Sequence, residues 1–255
     1  MTPRTAVIWA ALARELDRRG PEPLHVIDVG GGTGGFAMPF AEAGHMVTVI
    51  DASPDALASL GRRATDAGIA GTRITAVQGD ADQLGMLVSP ASADIVLCHS
   101  MLEEVDDPAA VMGAIASVLR PGGIASIVVA NRVGAVLARV LAGQMAAAAA
   151  LLEDAPGERH RFDADSAAAL VRAAGFTVEA IAGVRVISDL MPGALADADP
   201  AGVLDFEIAT SSVPPFRDIA TQLHLLARVP PLQNPAPETP VDHVVSCTLD
   251  GVSAS

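Results

Sequence analysis

Residues 26–35 read Val-Ile-Asp-Val-Gly-Gly-Gly-Thr-Gly-Gly, the stretch of this chain best shaped to hold a ligand. A strand-like run enters a turn made almost wholly of glycine, and residues 36–43 then have helical character. At Gly30, Gly31, Gly32 and Gly34 the missing Cβ permits positive φ and lets a ligand lie against bare backbone. The helix start adds unpaired N–H groups for the ligand's polar atoms. Asp28 lies inside the entering strand, where a carboxylate is costly unless hydrogen-bonded. The N–H groups of the glycine turn are its expected partners. Asp51 closes a second apolar run, with Ala52 after it, and a carboxylate there can accept from both hydroxyls of a ribose. Asp80 and Ala81 close a third run. The acid can accept from the exocyclic amine of adenine while the Ala81 N–H faces a ring nitrogen.

The glycine spacing leaves the ligand open. Gly30, Gly32 and Gly35 fit the G-x-G-x-x-G of dinucleotide enzymes, and Gly30, Gly32 and Gly34 fit the G-x-G-x-G of S-adenosylmethionine enzymes equally well. His99 and Ser100 follow a fourth apolar run. His99 can donate to a carboxylate of ligand or substrate and is the candidate catalytic residue; Ser100 is a further candidate cofactor contact. Candidates for holding an acceptor are Asn131, Arg132, His160, Arg161 and Arg185. The cluster Arg159, His160 and Arg161 interrupts an acidic region and can receive an anion, because guanidinium and carboxylate pair bidentately. Cys98 and Cys247 form no metal-ligand spacing, and no metal site is expected.

These residues need elements that bring them to one edge. Apolar residues at helical spacing mark 5–19, and Pro21 and Pro23 end that helix. Strands are expected at 24–29, 46–50, 74–77, 94–98 and 124–130. A helix at 54–67 has Ser53 as its cap and Pro54 in first position. Another spans 108–119, and Pro121, Gly122 and Gly123 form a sharp turn after it. Strands alternating with helices imply a parallel sheet covered on both faces. Such sheets bind ligands beyond the carboxyl ends of their strands. The Ala-rich stretch 133–152 contains Arg139, Gly143 and Gln144, and reads as a helix packed on the protein in preference to a membrane span. A helix at 166–174, strands at 176–182 and 184–187, a loop at 194–200, a helix at 204–209 and a strand at 222–229 complete a domain of residues 1–229. Residues 230–255 are proline-rich and read as an extended tail, in which 244–249 can add an edge strand.

The chain has no Lys; its 16 basic residues are all Arg and face 30 acids, for a net charge of -14. A nucleic-acid partner normally meets a basic face, so this balance weighs against one. Hydrophobic content of 51% is ample for a core. The start lacks the apolar run of a signal peptide and the two cysteines suit a reducing compartment, so a cytoplasmic location is expected.

Taken in order, VIDVGGGTG, VTVID, QGDA, DIVLCHSMLEEVDDP and LRPGG resemble the motifs of class I S-adenosylmethionine-dependent methyltransferases over residues 24–130. The resemblance implies an α/β, Rossmann-like fold: a central, mostly parallel seven-stranded sheet with helices on both faces. It implies S-adenosylmethionine as the cofactor in place of a dinucleotide. The segments TPRTAVIWAAL, NRVGAVLARVLAG, AAGFTVEAIAGVRVISDLM and LDFEIATSSVPPFRDIATQLHLLAR are similar to those of the bacterial methyltransferases that esterify 5-carboxymethoxyuridine in tRNA. By position, that likeness implies that Arg4, Gly30, Gly31, Asp51, Asp80, Ala81 and His99 hold the cofactor, with Arg4 on its carboxylate. The chain departs from that family in having no Lys at the mouth of the site, a strongly negative charge, and Glu104 where the family has an aromatic residue. The acceptor expected is therefore a small anionic, carboxylate-type molecule, with tRNA as the alternative. The sequence does not set the oligomeric state.

Overall fold

The structure, a computed structural model, describes residues 3–69, 71–153, 159–191 and 197–231, with side chains from Thr5 onward. In chain order the elements are α1 (Pro3–Arg19), β1 (His25–Val29), α2 (Ala37–Glu42), β2 (Met46–Asp51), α3 (Pro54–Asp66), β3 (Ile74–Gln78), a 3-10 turn (Ala81–Gln83) running into α4 (Leu84–Leu87), β4 (Ala93–His99), α5 (Pro108–Val118) and β5 (Leu119–Ala130). They continue with α6 (Arg132–Leu141), α7 (Met145–Leu152), α8 (Ala164–Ala173), β6 (Thr177–Val184), α9 (Pro200–Thr210), α10 (Phe216–Ile219) and β7 (Gln222–Arg228). The strands form one seven-stranded sheet in the order β3-β2-β1-β4-β5-β7-β6. Strands β1 to β5 are parallel, and β7 runs antiparallel between β5 and β6.

The central strands are apolar on both faces, as parallel strands covered by helices must be. On one face Ile27, Val29, Val96 and Cys98 meet Met112 and Ile115 of α5 and Val171 of α8. On the other, Val26, Ile95 and Leu97 meet Leu12 of α1, Phe40 of α2 and Leu60 of α3. The parallel registers bring the ends of β1, β2, β3, β4 and β5, and so the glycine turn, Asp51, Asp80 and His99, to one edge. At the opposite end, buried Glu15 accepts from Arg19 and Arg228, and Arg228 also pairs with Glu179, which ties α1 to β6 and β7.

Helix starts follow local chemistry. Ser53 Oγ accepts from the Ala56 N–H at 3.2 Å, with Pro54 in first position. The same signal opens α5, where Asp107 accepts from Ala109 and Ala110, and α9, where Asp199 accepts from Gly202. Helix α9 is thus longer than the expected 204–209.

Three further elements differ from expectation. The Ala-rich stretch is two helices, because Gly143 at φ 73° ends α6. Only Gly134 and Ala148 of the two are buried, so the stretch is a hairpin held at two points and not a helix packed along its length. Strand β5 starts at Leu119, and Gly122 at φ 78° makes an excursion within it in place of a turn before it; the register jumps from Ala93↔Leu119 to Ile95↔Ile124. Residues 184–187 are not a second strand, since β6 ends at Val184 and the N–H groups of Val186, Ile187 and Ser188 go to Glu207. The proposed tail from residue 232 on, with Cys247 and the edge strand at 244–249, lies outside the described residues. Among the described residues no helix is long and apolar enough to cross a membrane, and no group of three or more His, Cys, Asp and Glu is placed to hold a metal.

Candidate cofactor and acceptor site

The glycine turn is shaped by its own hydrogen bonds. The Gly30 N–H donates to the Ile50 carbonyl at 2.7 Å, and the Gly32 N–H to Asp51 Oδ2 at 2.8 Å. Asp51 Oδ1 accepts from the Ser53 N–H at 2.9 Å, so the acid that ends β2 also braces both loops beside it. Gly30 has φ 71° and lies under the Met101 methyl group, where any Cβ would collide. At Gly31 a Cβ would sit 2.6 Å from the Asp28 carboxyl.

Asp28 is 3% exposed. Its carboxyl accepts from the Ala37 N–H at the start of α2. This corrects the expected pairing with the glycine turn, whose Gly32 N–H goes to Asp51 instead. The Asp28 side chain lies beneath Gly31, where the Ala37 N–H of the following helix reaches it. Burial, with the charge of Asp51 adding to it, pushes the Asp28 carboxyl up to about 7 against the Ala37 hydrogen bond.

Asp80 starts the 3-10 turn. Its Oδ1 accepts from the Ala81 N–H at 2.7 Å, and Gln83 closes the capping box. The Ala81 N–H is therefore turned to Asp80 and not outward, although both residues line the cleft. That cleft, of about 280 Å³, is lined by Gly30, Asp51, Ala52, Asp80 and Ala81, together with Ile50, Met101, Val105, Asp82, Glu104 and Asp106.

His99 stands on the other side of the turn. Its ring meets the edge of Phe36 at 4.5 Å between centroids, and Phe36 stacks on Trp9 at 5.0 Å. Its Nε2 lies 2.9 Å from Ser126 Oγ, which lies 2.9 Å from Nε2 of His224. Burial, then the neighbouring His224, holds His99 down to about 3. Its Nδ1 is enclosed and meets no partner among the described residues. Ser100 has φ 54°, and its hydroxyl accepts from Gln222 at 2.9 Å. Arg4 lies in the first turn of α1, with its side chain outside the described residues.

The acceptor candidates meet at the ends of β4, β5 and β7. Residues 159–162 run beside the start of α6: the Phe162 N–H donates to Ala130, the Arg132 N–H to Phe162, and the His160 N–H to the Glu103 carbonyl. Arg132 pairs with Asp163 at 2.5 Å, Arg159 with Glu104 at 2.8 Å and Arg185 with Asp189 at 2.5 Å. Half-buried Arg161 makes no salt bridge among the described residues, and its charge acts on buried Glu103, whose carboxyl burial pushes up. His160 is exposed. Asn131 is a correction: its amide donates to the Asp218 and Ala220 carbonyls and its oxygen caps Val133, so no group is left for an acceptor. Arg185 sits at φ 63°, where Glu207 gathers the next three N–H groups.

Sequence reasoning missed Ser126, His224, Gln222, Glu103 and Glu207. A His within the apolar run Leu223 to Ala227 was a usable signal for His224. Glu207 carried none, since an acid on a helix ordinarily faces water.

Residues 4–181 match the methyltransferase domain family. The tRNA 5-carboxymethoxyuridine methyltransferase of Escherichia coli is 29% identical over 235 residues, covering 89% of this chain and 88% of that enzyme. The ubiquinone biosynthesis O-methyltransferase of Xanthomonas euvesicatoria is 31% identical over 199 residues, covering 69% of this chain and 81% of that enzyme. The crystal structure of an S-adenosylmethionine-dependent methyltransferase from Mesorhizobium loti aligns with a TM-score of 0.58 at 21% identity, over 86% of this chain and 96% of that one. Magnesium protoporphyrin IX methyltransferase from Synechocystis, with bound SAH, aligns with a TM-score of 0.60 at 16% identity, over 89% and 83%. At these identities the solved structures establish a shared fold.

Proposed function

The chain belongs to the methyltransferase domain family, and we propose that it moves the methyl group of S-adenosylmethionine onto a small anionic acceptor, a carboxylate in particular. The carboxyl edge of the sheet fits this cofactor. The enclosed Nδ1 of His99 has a hydrogen bond to give or take, and Gly30 and Gly31 leave no room for side chains of their own. The acids Asp51, Asp80, Asp82, Glu104 and Asp106 around the cleft suit a ligand carrying a sulfonium and an amine. Asp51, with Ala52 beside it, would hold the ribose hydroxyls, Asp80 the adenine amine, and Arg4 and His99 the carboxylate. When bound, S-adenosylmethionine supplies a methyl group open to in-line attack. A carboxylate acceptor is already an anion and needs no base, so the protein's task is to orient it and keep water out.

The observation that carries the anionic acceptor is Arg161. Arg132, Arg159 and Arg185 are each held by a carboxylate, whereas Arg161 makes no salt bridge among the described residues. The neutralised three argue against the continuous basic mouth that a phosphate backbone needs. The test is to incubate the protein and labelled S-adenosylmethionine with a panel of small carboxylic acids and, separately, with total tRNA. Ester on a small acid is the expected product, reduced about tenfold or more in Arg161→Ala as a charge-assisted hydrogen bond implies, with cofactor affinity intact. Ester formed on tRNA alone overturns the proposal. One observation favours tRNA: the likeness to the Escherichia coli enzyme runs over 88% of its length.

A further inference from the structure

Three polar side chains cross the sheet beside the glycine turn. His99 of β4 and His224 of β7 flank Val128 of β5 in one register, and Ser126 lies two residues before Val128 on the same face. Their surroundings are apolar, with Leu97, Ile124 and Leu226 on that face. Ser126 is 0% and His224 2% exposed. Ser126 Oγ stands 2.9 Å from each of the two Nε2 atoms.

A hydroxyl has one proton to give. Ser126 therefore donates to one imidazole and accepts from the other, so neutral rings carry opposite protonation at Nε2. If His99 holds its proton at Nε2, its enclosed Nδ1 is a bare acceptor. If His224 holds its proton at Nε2, Ser126 donates to His99, and His99 is protonated at Nδ1. A carboxylate can only accept, so of the two arrangements the one with His224 protonated at Nε2 is the one that offers such a ligand a donor at His99 Nδ1.

We propose that Ser126 and His224 are positioning residues that fix His99 as a neutral Nδ1–H donor to a carboxylate bound at the glycine turn. The His99 Nδ1 meets no partner among the described residues, and a buried polar atom of this kind calls for one. Burial keeps the ring neutral at ordinary pH, so the donor does not depend on its being charged. The identity of the ligand rests on the methyltransferase reading: the carboxylate belongs to the methionine half of the cofactor or to the acceptor.

Nitrogen-15 NMR of the imidazole nitrogens reads the tautomers directly, with His99 assigned by comparison with His99→Gln. The full chain should show His99 protonated at Nδ1 and His224 at Nε2. Ser126→Ala and His224→Leu should each leave His99 in a mixture of tautomers. His224→Gln, whose amide N–H can donate to Ser126, should restore the Nδ1–H form; this rescue separates positioning from loss of fold, which thermal melts check independently. In calorimetry, Ser126→Ala should weaken S-adenosylhomocysteine by about twofold to tenfold, in proportion to the share of His99 no longer protonated at Nδ1, and leave 5′-methylthioadenosine, which lacks the carboxylate, unchanged; that outcome puts the carboxylate on the cofactor. If both bind unchanged and KM for a carboxylate acceptor rises by about twofold to tenfold, the carboxylate is the acceptor's. His99 found protonated at Nε2, equal loss of both nucleosides, or no change in any of the three measurements overturns the proposal. Failure of the unmodified chain to bind S-adenosylhomocysteine strikes at the methyltransferase reading instead, and leaves the tautomer measurement to decide this one.

Discussion

Asp28 is one side chain in which the demands of fold and site meet. It is a carboxylate under a glycine turn, facing the charge of Asp51, and its pKa is raised from 3.8 to about 7. A raised folded value means that its contribution to stability is fully present below about pH 4 and is lost as pH rises through about 7. Asp28→Asn keeps the shape and the acceptor for Ala37 but removes the charge. Its stability relative to the unmodified chain should therefore grow between pH 4 and pH 8, by up to about 4 kcal/mol, in urea denaturation at each pH. An advantage that is flat with pH would mean that Asp28 ionises there without penalty. Asp51, by contrast, lines the cleft. Asp51→Ala takes away the partner of Gly32 and Ser53 as well as the ribose acceptor, and should weaken S-adenosylhomocysteine at least tenfold, by about 1.5 kcal/mol or more, as calorimetry would register. Unchanged affinity would remove Asp51 from the cofactor's contacts.

Among the elements, the loop after β6 shows how a distant residue builds part of the site. Glu207 of α9 is 0% exposed and accepts from Val186, Ile187 and Ser188 N–H groups and the Ser188 hydroxyl. That clamp follows Arg185, a residue without glycine's freedom that is held at φ 63°. Glu207→Gln puts an amide NH2 among N–H donors and leaves buried donors unmatched, which should destabilise the protein by about 1–3 kcal/mol. Hydrogen exchange at 186–188 should accelerate more than in β7, whose ladder is independent of the clamp. Uniform acceleration across both would show that Glu207 supports the whole fold and not this loop. The row of β4, β5 and β7 carries the second effect at this scale. His99 and His224 are both held down by burial, to about 3 and about 4. Lowered values mean that the stability they contribute is present above about pH 6.5 and is lost as pH falls toward 4. Replacing His224 with Gln should flatten that acid limb of the stability curve.

For the whole molecule, the net charge of -14 sets the terms on which it meets a partner. Affinity for unmodified tRNA should fall in the nonspecific range, weaker than about 10 µM at physiological salt, in filter binding or fluorescence titration. Tight binding with a steep salt dependence would restore the tRNA acceptor. The described sheet closes with β7 at Arg228, paired on both sides by β5 and β6. A chain ending at residue 231 should therefore bind S-adenosylhomocysteine as the full chain does.

The local chemistry of the chain was enough to place the glycine turn, the cap Ser53 with Pro54, and the five parallel strands in order. These depend on residues within a few positions of one another. It was not enough for Asn131, Arg132, Arg159 and Arg185, which read as a polar mouth. Asn131 is taken up by carbonyls 87 and 89 residues away, and the three Arg by carboxylates. Apart from Asp189, four residues after Arg185, these partners are distant in the chain, and a side chain's availability depends on what the fold brings against it. Ser126 and His224 make the same point in the other direction. Separately they are a serine and a histidine in apolar strands 98 residues apart, and only the pairing of β5 between β4 and β7 makes them a hydrogen-bonded line to His99.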